Sequence, residues 1–171
     1  SWGYNHWGVD PMPYHIEPKD SPVSTPEKLK EYPFVATSGG RSYEFFHSEH
    51  RQLETMREFH PWPLVTIHPE AAAEYGIQDG DWVWIETTHG RCRQKAFLFP
   101  GIKKDTIHME HAWWFPEEEA AEPSLFGTFD SNINNMALNF ETGQGGIGSG
   151  IKSFLAKIYK YQDGDEMPGE K

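Results

Sequence analysis

Short apolar runs separated by turn residues, and not long amphipathic helices, set the pattern of this chain. The run at residues 32–37 ends at Ser38-Gly39-Gly40, which predicts a buried strand followed by a tight turn. Residues 64–67 form a second short run, and in residues 82–87 Trp and Glu alternate with Val and Ile, as is typical of a strand. Two more strands are predicted at residues 91–99 and 106–111.

Helices are predicted in two places. Residues 46–59 are mostly polar and contain neither Gly nor Pro, which favours a helix. Pro69 begins a second helix with Glu70 in its first turn, and Gly76 is placed to end it. The segment 151–161 fits a strand or a short helix, and the pattern leaves both open.

These elements predict three parts of the chain. Residues 1–31 are rich in Pro and aromatic residues, which indicates an extended arm or linker. Residues 32–161 carry all the predicted strands and form one α+β domain, mainly β with short helices, in which a small barrel is favoured. Residues 162–171 form an acidic tail.

Composition narrows the classes of partner. A length of 171 residues is enough for one domain with its own core, and a start at Ser1 without Met is expected of a shortened or processed chain. The net charge of −11 argues against binding to nucleic acid or to an anionic membrane surface, since both need clustered basic residues. No apolar run approaches the roughly 20 residues of a membrane-spanning helix, so no direct membrane insertion is expected.

The single cysteine, Cys92, excludes a disulfide within the chain. Its neighbours Arg91 and Arg93 would favour a thiolate, whereas a lone cysteine is more often a small packing residue, and packing is the expectation here.

Four segments carry polar chemistry. In Ser38-Gly39-Gly40-Arg41, glycines after a strand allow close backbone approach to a ligand, and the Arg fork suits phosphate. On the predicted helix, His47 and Arg51 share one face, with Ser48 beside them. The other two segments hold His111 with Trp113, and Asn132 in an Asn-rich turn.

A fifth segment, rich in Gly, contains Gln144 and is followed by Lys152. All five segments can also be explained without a ligand, as surface turns, core aromatic residues or solvated loops. The pairs His47/His50 and His108/His111 have metal-ligand spacing but no Cys or acidic partner, so hydrogen bonds to an organic ligand are favoured over zinc.

No Ser-His-Asp signature, phosphate-binding Walker loop or dinucleotide Gly motif is present in the sequence. We therefore expect no catalytic residue and no metal ligand in this chain. Instead, the Gly, Arg, His and Asn residues indicate a polar ligand with phosphates and heterocycles.

Taken in order, these segments resemble the last domain of molybdopterin oxidoreductases of the dimethyl sulfoxide reductase family, including formate dehydrogenase-like anaerobic dehydrogenases. The resemblance spans residues 20–160 and rests on the following motifs in sequence order: Thr37-Ser38-Gly39-Gly40-Arg41, Phe46-His47-Ser48-Glu49-His50-Arg51, His68-Pro69-Glu70-Ala71-Ala72, His111-Ala112-Trp113-Trp114-Phe115-Pro116, Ser131-Asn132-Ile133-Asn134 and Glu141-Thr142-Gly143-Gln144.

The resemblance implies a double-psi β-barrel and a bis(molybdopterin guanine dinucleotide) cofactor that holds molybdenum or tungsten. The metal's protein ligand would lie in an earlier domain, so this chain alone would be inactive. Ser38 to Arg41 would meet the dithiolene and phosphate region, and further polar contacts would come from His47, Ser48 and Arg51. His111 and Trp113 would line the pterin side. Hydrogen bonds to pterin or nucleotide edges would come from Asn132, Gln144 and Lys152.

The implied partners are the preceding domains of the same enzyme and an iron–sulfur electron-transfer subunit, in the cytoplasm or periplasm of a prokaryote. Two other hypotheses stay open from the sequence: a free-standing double-psi barrel enzyme, such as a decarboxylase, and a protein-interaction module that uses the aromatic arm. Binding of a guanine nucleotide or pterin would separate the first hypothesis from these two.

Overall fold

The computed structural model describes residues 5–8, 12, 14–136 and 153–165. Its described part contains six strands: β1 (Phe34–Ser38), β2 (Leu64–Ile67), β3 (Trp82–Glu86), β4 (Arg91–Leu98), β5 (Thr106–Met109) and β6 (Ser153–Lys160). Each predicted strand is present within a few residues of its expected bounds. The last segment, which fitted a strand or a helix, is a strand.

The strands close into a barrel in the order β1-β5-β2-β4-β3-β6, with β6 pairing back onto β1. Two pairs are parallel, β1 with β5 and β2 with β4, and the other four are antiparallel. This is the double-psi β-barrel expected from the sequence. Because β1 and β5 are parallel, with Thr37 opposite His108, the loops after both strands emerge at the same end of the barrel.

The interior of the barrel is a single apolar cluster. Alternate residues of each strand point inward, as the two-residue period of a strand requires. Fully buried members include Val65, Val83, Ile107, Met109 and Ala156. The short helices are α1 (Glu54–Phe59), α2 (Pro69–Glu74) and α3 (Thr128–Ser131), with 3-10 turns at Pro26–Lys30 and Ile133–Met136. Of these elements, α2 and the turn Ile133–Met136 contribute side chains to the core cluster.

The helix predicted at residues 46–59 is wrong over its first half. Only Glu54–Phe59 is α-helical, and residues 46–53 form turns in which His47 has φ 53° and His50 has φ 74°. A helix cannot pass through these left-handed conformations. The polar pattern misled here because the turns are held by long-range contacts, which are described below.

The helix predicted to start at Pro69 is confirmed. His68 accepts a hydrogen bond from the backbone N–H of Glu70 through its ring, Pro69 occupies the first turn, and Gly76 follows the helix with φ 66°. Only glycine adopts that conformation without strain, so the sequence signal was specific.

Cys92 points into the barrel core and is fully buried. Burial raises the pKa of its thiol, so the expected packing role agrees with the structure. The structure does not support a thiolate stabilised by the neighbouring arginines, because Arg91 and Arg93 point outward. Arg91 stacks over Trp84, and Arg93 stacks over Trp82.

None of the helices formed by the described residues is long and apolar enough to cross a membrane.

Candidate binding groove

A groove opens at the barrel end where β1 and β5 finish, and we call it the β1–β5 groove. Its lining consists of Gly40, Arg41, Ser42, Phe45, His47, Arg51, Glu110 and His111. Most of these residues belong to three segments identified in the sequence, those of Gly40, His47 and His111. The parallel pairing of the two strands brings those segments together.

Gly40 forms the floor of the groove and lies against His108. A Cβ atom at this position would sit 2.5 Å from Nε2 of His108, which is closer than atoms can approach. The ring of His108 is held there by a 3.0 Å hydrogen bond between its Nδ1 and the hydroxyl of Thr37. Burial lowers the pKa of His108, with partial opposition from the charge of Glu110.

His111 and His47 form a hydrogen-bonded pair at the edge of the groove. Nδ1 of His111 lies 3.2 Å from the carbonyl oxygen of Gly40. A carbonyl only accepts, so Nδ1 of His111 carries the hydrogen and its Nε2 accepts from Nδ1 of His47 at 2.8 Å. Burial, and then the nearby charge of His47, lower the pKa of His111.

Arg51 holds the groove walls together from beneath. Its side chain is only 3% exposed, with the guanidinium 4.4 Å from the ring of Phe45 and 4.6 Å from the ring of Trp113. It donates to the backbone carbonyl of His47 at 2.8 Å and to that of His111 at 3.4 Å. Burial lowers the pKa of Arg51 to about 10, and its Nε atom is buried with no hydrogen-bond partner in the described structure.

Glu110 is the carboxylate of the groove, and its Oε2 atom accepts two hydrogen bonds from the surrounding protein. Its side chain accepts hydrogen bonds from Nε2 of His60 at 2.9 Å and from the backbone N–H of Leu64 at 3.0 Å. The groove therefore offers mainly donors and cations to a ligand, a composition that suits an anion.

The other residues predicted to bind the cofactor lie at the edge of the groove, beneath it, near α3 or outside the described residues. Ser38 ends β1, Gly39 has φ 95°, and the exposed Arg41 stacks over Phe46 at 5.0 Å. The carbonyl of Ser48 accepts a 2.6 Å hydrogen bond from the indole of Trp114.

Trp113 is fully buried beneath Arg51, so here it supports the groove and does not form its surface. Asn132 follows α3, and its side chain accepts from the backbone N–H of Asn134 at 3.0 Å. Gln144 and Lys152 lie outside the described residues.

The sequence analysis missed Gln94, which links the segment of His111 to that of Asn132. Gln94 is fully buried, and its amide donates to the carbonyl of Glu110 at 2.8 Å and to that of Ser131 at 3.3 Å. Its oxygen accepts from the backbone N–H of Glu110 at 3.3 Å. A signal was present: Gln94 is the one long polar residue among the inward positions of β4, between Cys92 and Ala96.

Comparison with known proteins gives a consistent assignment. The family model described as "Molydopterin dinucleotide binding domain" matches residues 35–144. Among curated proteins, the chain is 43% identical over 150 residues to dopamine dehydroxylase of Eggerthella lenta, a match that covers 87% of this chain and 14% of that protein. It is 34% identical over 160 residues to acetylene hydratase of Syntrophotalea acetylenica, covering 90% of this chain and 22% of the relative.

Among solved structures, acetylene hydratase from Pelobacter acetylenicus superimposes with a TM-score of 0.83 at 31% sequence identity, covering 92% of this chain and 22% of that one. The chain therefore spans between 14% and 22% of the length of these relatives. In them, the matching region is a small part of a much longer protein.

Proposed function

Since this chain belongs to the molybdopterin dinucleotide binding domain family of molybdenum and tungsten oxidoreductases, we propose that the β1–β5 groove is where it holds the bis(molybdopterin guanine dinucleotide) cofactor. The family's function is to bind and cap that cofactor. The assignment of individual residues is the proposal.

The observation that carries the proposal is the contact of Gly40 with His108. Backbone without a side chain is exposed at the groove floor, in a place where any other residue would collide with the ring beneath it. The ring of His108 fills the place of a side chain, and the exposed backbone of Gly40 can be approached closely by a flat or phosphate-bearing group.

The donor set of the groove fits the cofactor. Its anionic phosphates need cations and hydrogen-bond donors, which the Arg41 guanidinium and the Ser42 hydroxyl supply in the groove. Arg51 contributes a buried positive charge beneath them. Among the residues that line the groove, the two arginines outnumber the single carboxylate, that of Glu110.

When bound, the cofactor supplies the metal at which substrate reacts, and the protein supplies binding, orientation and electrostatics. In this proposal Ser38 to Arg41 hold the phosphate and dithiolene region, and His47, Ser48 and His111 orient it by hydrogen bonds. Trp113 acts from below, by fixing the guanidinium of Arg51. Asn132, Gln144 and Lys152 meet pterin or nucleotide edges.

The names of the relatives support a role that is independent of substrate. One relative is named for a dehydroxylation and another for a hydration, yet both match almost the whole of this chain. What they share in this region is cofactor holding. We propose that the parent protein is a molybdenum- or tungsten-dependent enzyme whose preceding domains complete the cleft, with an iron–sulfur electron-transfer partner where its reaction is a redox one.

The test is a titration of the ¹⁵N-labelled full chain with GDP, with ADP for comparison, followed by nuclear magnetic resonance. We expect weak binding, because half of the cleft is missing, with shifts at Gly39, Gly40, Arg41 and His111. Arg41→Gln should weaken GDP binding. Lys104→Gln is the control and should not weaken it, because Lys104 is exposed, pairs with Glu70 and lies at the opposite end of β5 from the groove. Shifts confined to residues outside the groove, or equal loss in both variants, would refute the assignment of this groove.

A further inference from the structure

Apolar side chains lie at the surface in the loop between β5 and α3 and in α3 itself. Leu125 is 36% exposed, and Phe126 and Phe129 are each 38% exposed. Beside them lies an open cavity of about 290 Å³ lined by Glu122, Pro123, Leu125 and Phe129. Clustered exposed apolar residues beside a cavity are typical of an interaction site, whereas scattered ones are not.

The backbone of this loop holds these side chains outward in uncommon conformations. Leu125 has φ 46° and Phe126 has φ 59°, values that bulky L-residues rarely adopt. Phe126 donates its N–H to the carbonyl of Glu119 at 2.8 Å and accepts from the N–H of Phe115 at 2.7 Å. The loop is therefore built around the exposed pair, and strain of this kind is found preferentially at functional sites.

The loop beside the cavity is acidic, and we call its exposed glutamates, Glu118, Glu119 and Glu122, the rim; of these, Glu122 lines the cavity itself. Residues 116–127 contain no Lys or Arg, and the neighbouring Arg57 and Arg93 are paired with Glu117 and Asp130, so the unpaired charge of this loop is negative. A face of this composition is complementary to an apolar group carried between basic residues.

We propose that this face, which we call the Glu118–Phe129 face, docks a protein partner through a segment in which an apolar side chain is flanked by Lys or Arg. The apolar side chain enters the cavity beside Leu125 and Phe129, and the basic residues pair with the glutamates of the rim. A second copy of this chain is disfavoured as the partner, because each copy carries a net charge of −11. The proposal does not depend on the cofactor role of the β1–β5 groove.

The first experiment titrates the ¹⁵N-labelled full chain with the peptide acetyl-Lys-Arg-Leu-Phe-Arg-Lys-amide. Two matched peptides serve as controls, one with Glu at every basic position and one with Ser-Ser in place of Leu-Phe. We expect saturable amide shifts at residues 118–130 with the first peptide, and at least tenfold weaker binding of both controls. Absence of binding, equal binding of either control, or shifts that map elsewhere would overturn the proposal.

Variants then test the two parts of the face separately. Phe129→Ser should weaken peptide binding at least fivefold by removing the apolar wall, and the double variant E119Q/E122Q should do the same while it keeps side-chain shape. Phe97→Ser is the matched control, since Phe97 is 44% exposed on β4 and lies outside this face. Unchanged binding in E119Q/E122Q would refute the role of charge. Sedimentation that shows dimers, abolished by Phe129→Ser, would make a second copy the occupant and overturn the proposed partner.

Discussion

Nδ1 of His47 lies 2.8 Å from Nε2 of His111, although the two residues are 64 positions apart in the chain. When His111 is neutral and its hydrogen is on Nδ1, facing the carbonyl of Gly40, its Nε2 accepts this bond from His47. The bond joins the turn after β1 to the turn after β5, and it depends on a left-handed backbone at His47. The spacing of histidines along the chain suggested other pairs, His47 with His50 and His108 with His111.

The first prediction concerns the loss of folding stability at acidic pH. The pKa values of His108 and His111 lie below their ordinary value of 6.5, mainly because both rings are buried. Below pH 6.5 the unfolded chain therefore binds more protons than the folded chain, and the free energy of unfolding falls as pH drops through that value. It stops falling once the pH is below the folded-state pKa values. Urea denaturation between pH 7.5 and 5 should show this loss.

The matched variants are His111→Gln and His89→Gln. His111→Gln should reduce the slope of stability against pH, whereas His89→Gln should leave it unchanged, because His89 is exposed in the turn between β3 and β4. Equal slopes in all three proteins would contradict the assignment.

The second prediction concerns the floor of the groove. Gly40→Ala places a methyl group where His108 stands, and we expect a loss of about 1–3 kcal/mol in the free energy of unfolding. The double variant G40A/H108A removes the obstructing ring, so its loss should be smaller than the sum of the two single losses. Additive losses, measured by urea denaturation, would show that the contact does not limit residue size at position 40.

The third prediction concerns the buried guanidinium. Arg51→Lys keeps a positive charge but loses the flat surface between Phe45 and Trp113, so we expect a loss of about 2 kcal/mol in stability. Arg41→Lys is the control, because Arg41 stacks over Phe46 on the surface, and its loss should be no more than about 0.5 kcal/mol. Similar losses in both variants would argue that burial adds nothing to the stacking of Arg51.

The fourth prediction concerns the link across the barrel end. Gln94→Leu leaves the backbone groups of Glu110 and Ser131 without their partner, at a cost of about 2–4 kcal/mol. Hydrogen exchange should speed up selectively at residues 132–136, since Gln94 is their connection to β5. Cys92→Ala, at another inward position of β4, should lower stability without that local change. A uniform increase in exchange in the Gln94→Leu protein would assign the residue a packing role only.

The positions of strands and helix ends could be predicted from the sequence where they follow a local pattern. The alternation at Trp82 to Glu86 and the caps of α2 at Pro69 and Gly76 are written into neighbouring residues, and both were identified. The turns at 46–53 were not, because their left-handed residues are held by Arg51 and by His111, which come from elsewhere in the fold. Composition alone made that stretch resemble a helix.

In the candidate groove, too, the types of residue could be predicted from the sequence, whereas their spatial arrangement could not. Its Gly, Arg and His residues stood out as types that bind anionic ligands. Their arrangement did not, because it depends on the parallel pairing of β1 with β5 and on three partners, the buried Gln94 and the half-buried His108 and Glu110. In the sequence, Gln94 interrupts the series of small inward residues on β4. Its role as a hydrogen-bonding partner of Glu110 and Ser131 becomes evident only in the folded barrel.

The position of β6 constrains how the protein is made. This strand comes from the end of the chain, yet it pairs with both β1 and β3 and is the piece that closes the barrel. During translation the first five strands therefore emerge from the ribosome with two open edges and an incomplete core, and they must wait for β6 before the sheet becomes continuous. Contacts between such distant parts of a chain form slowly. Premature termination before residue 153 would consequently leave an aggregation-prone sheet and not a smaller working domain.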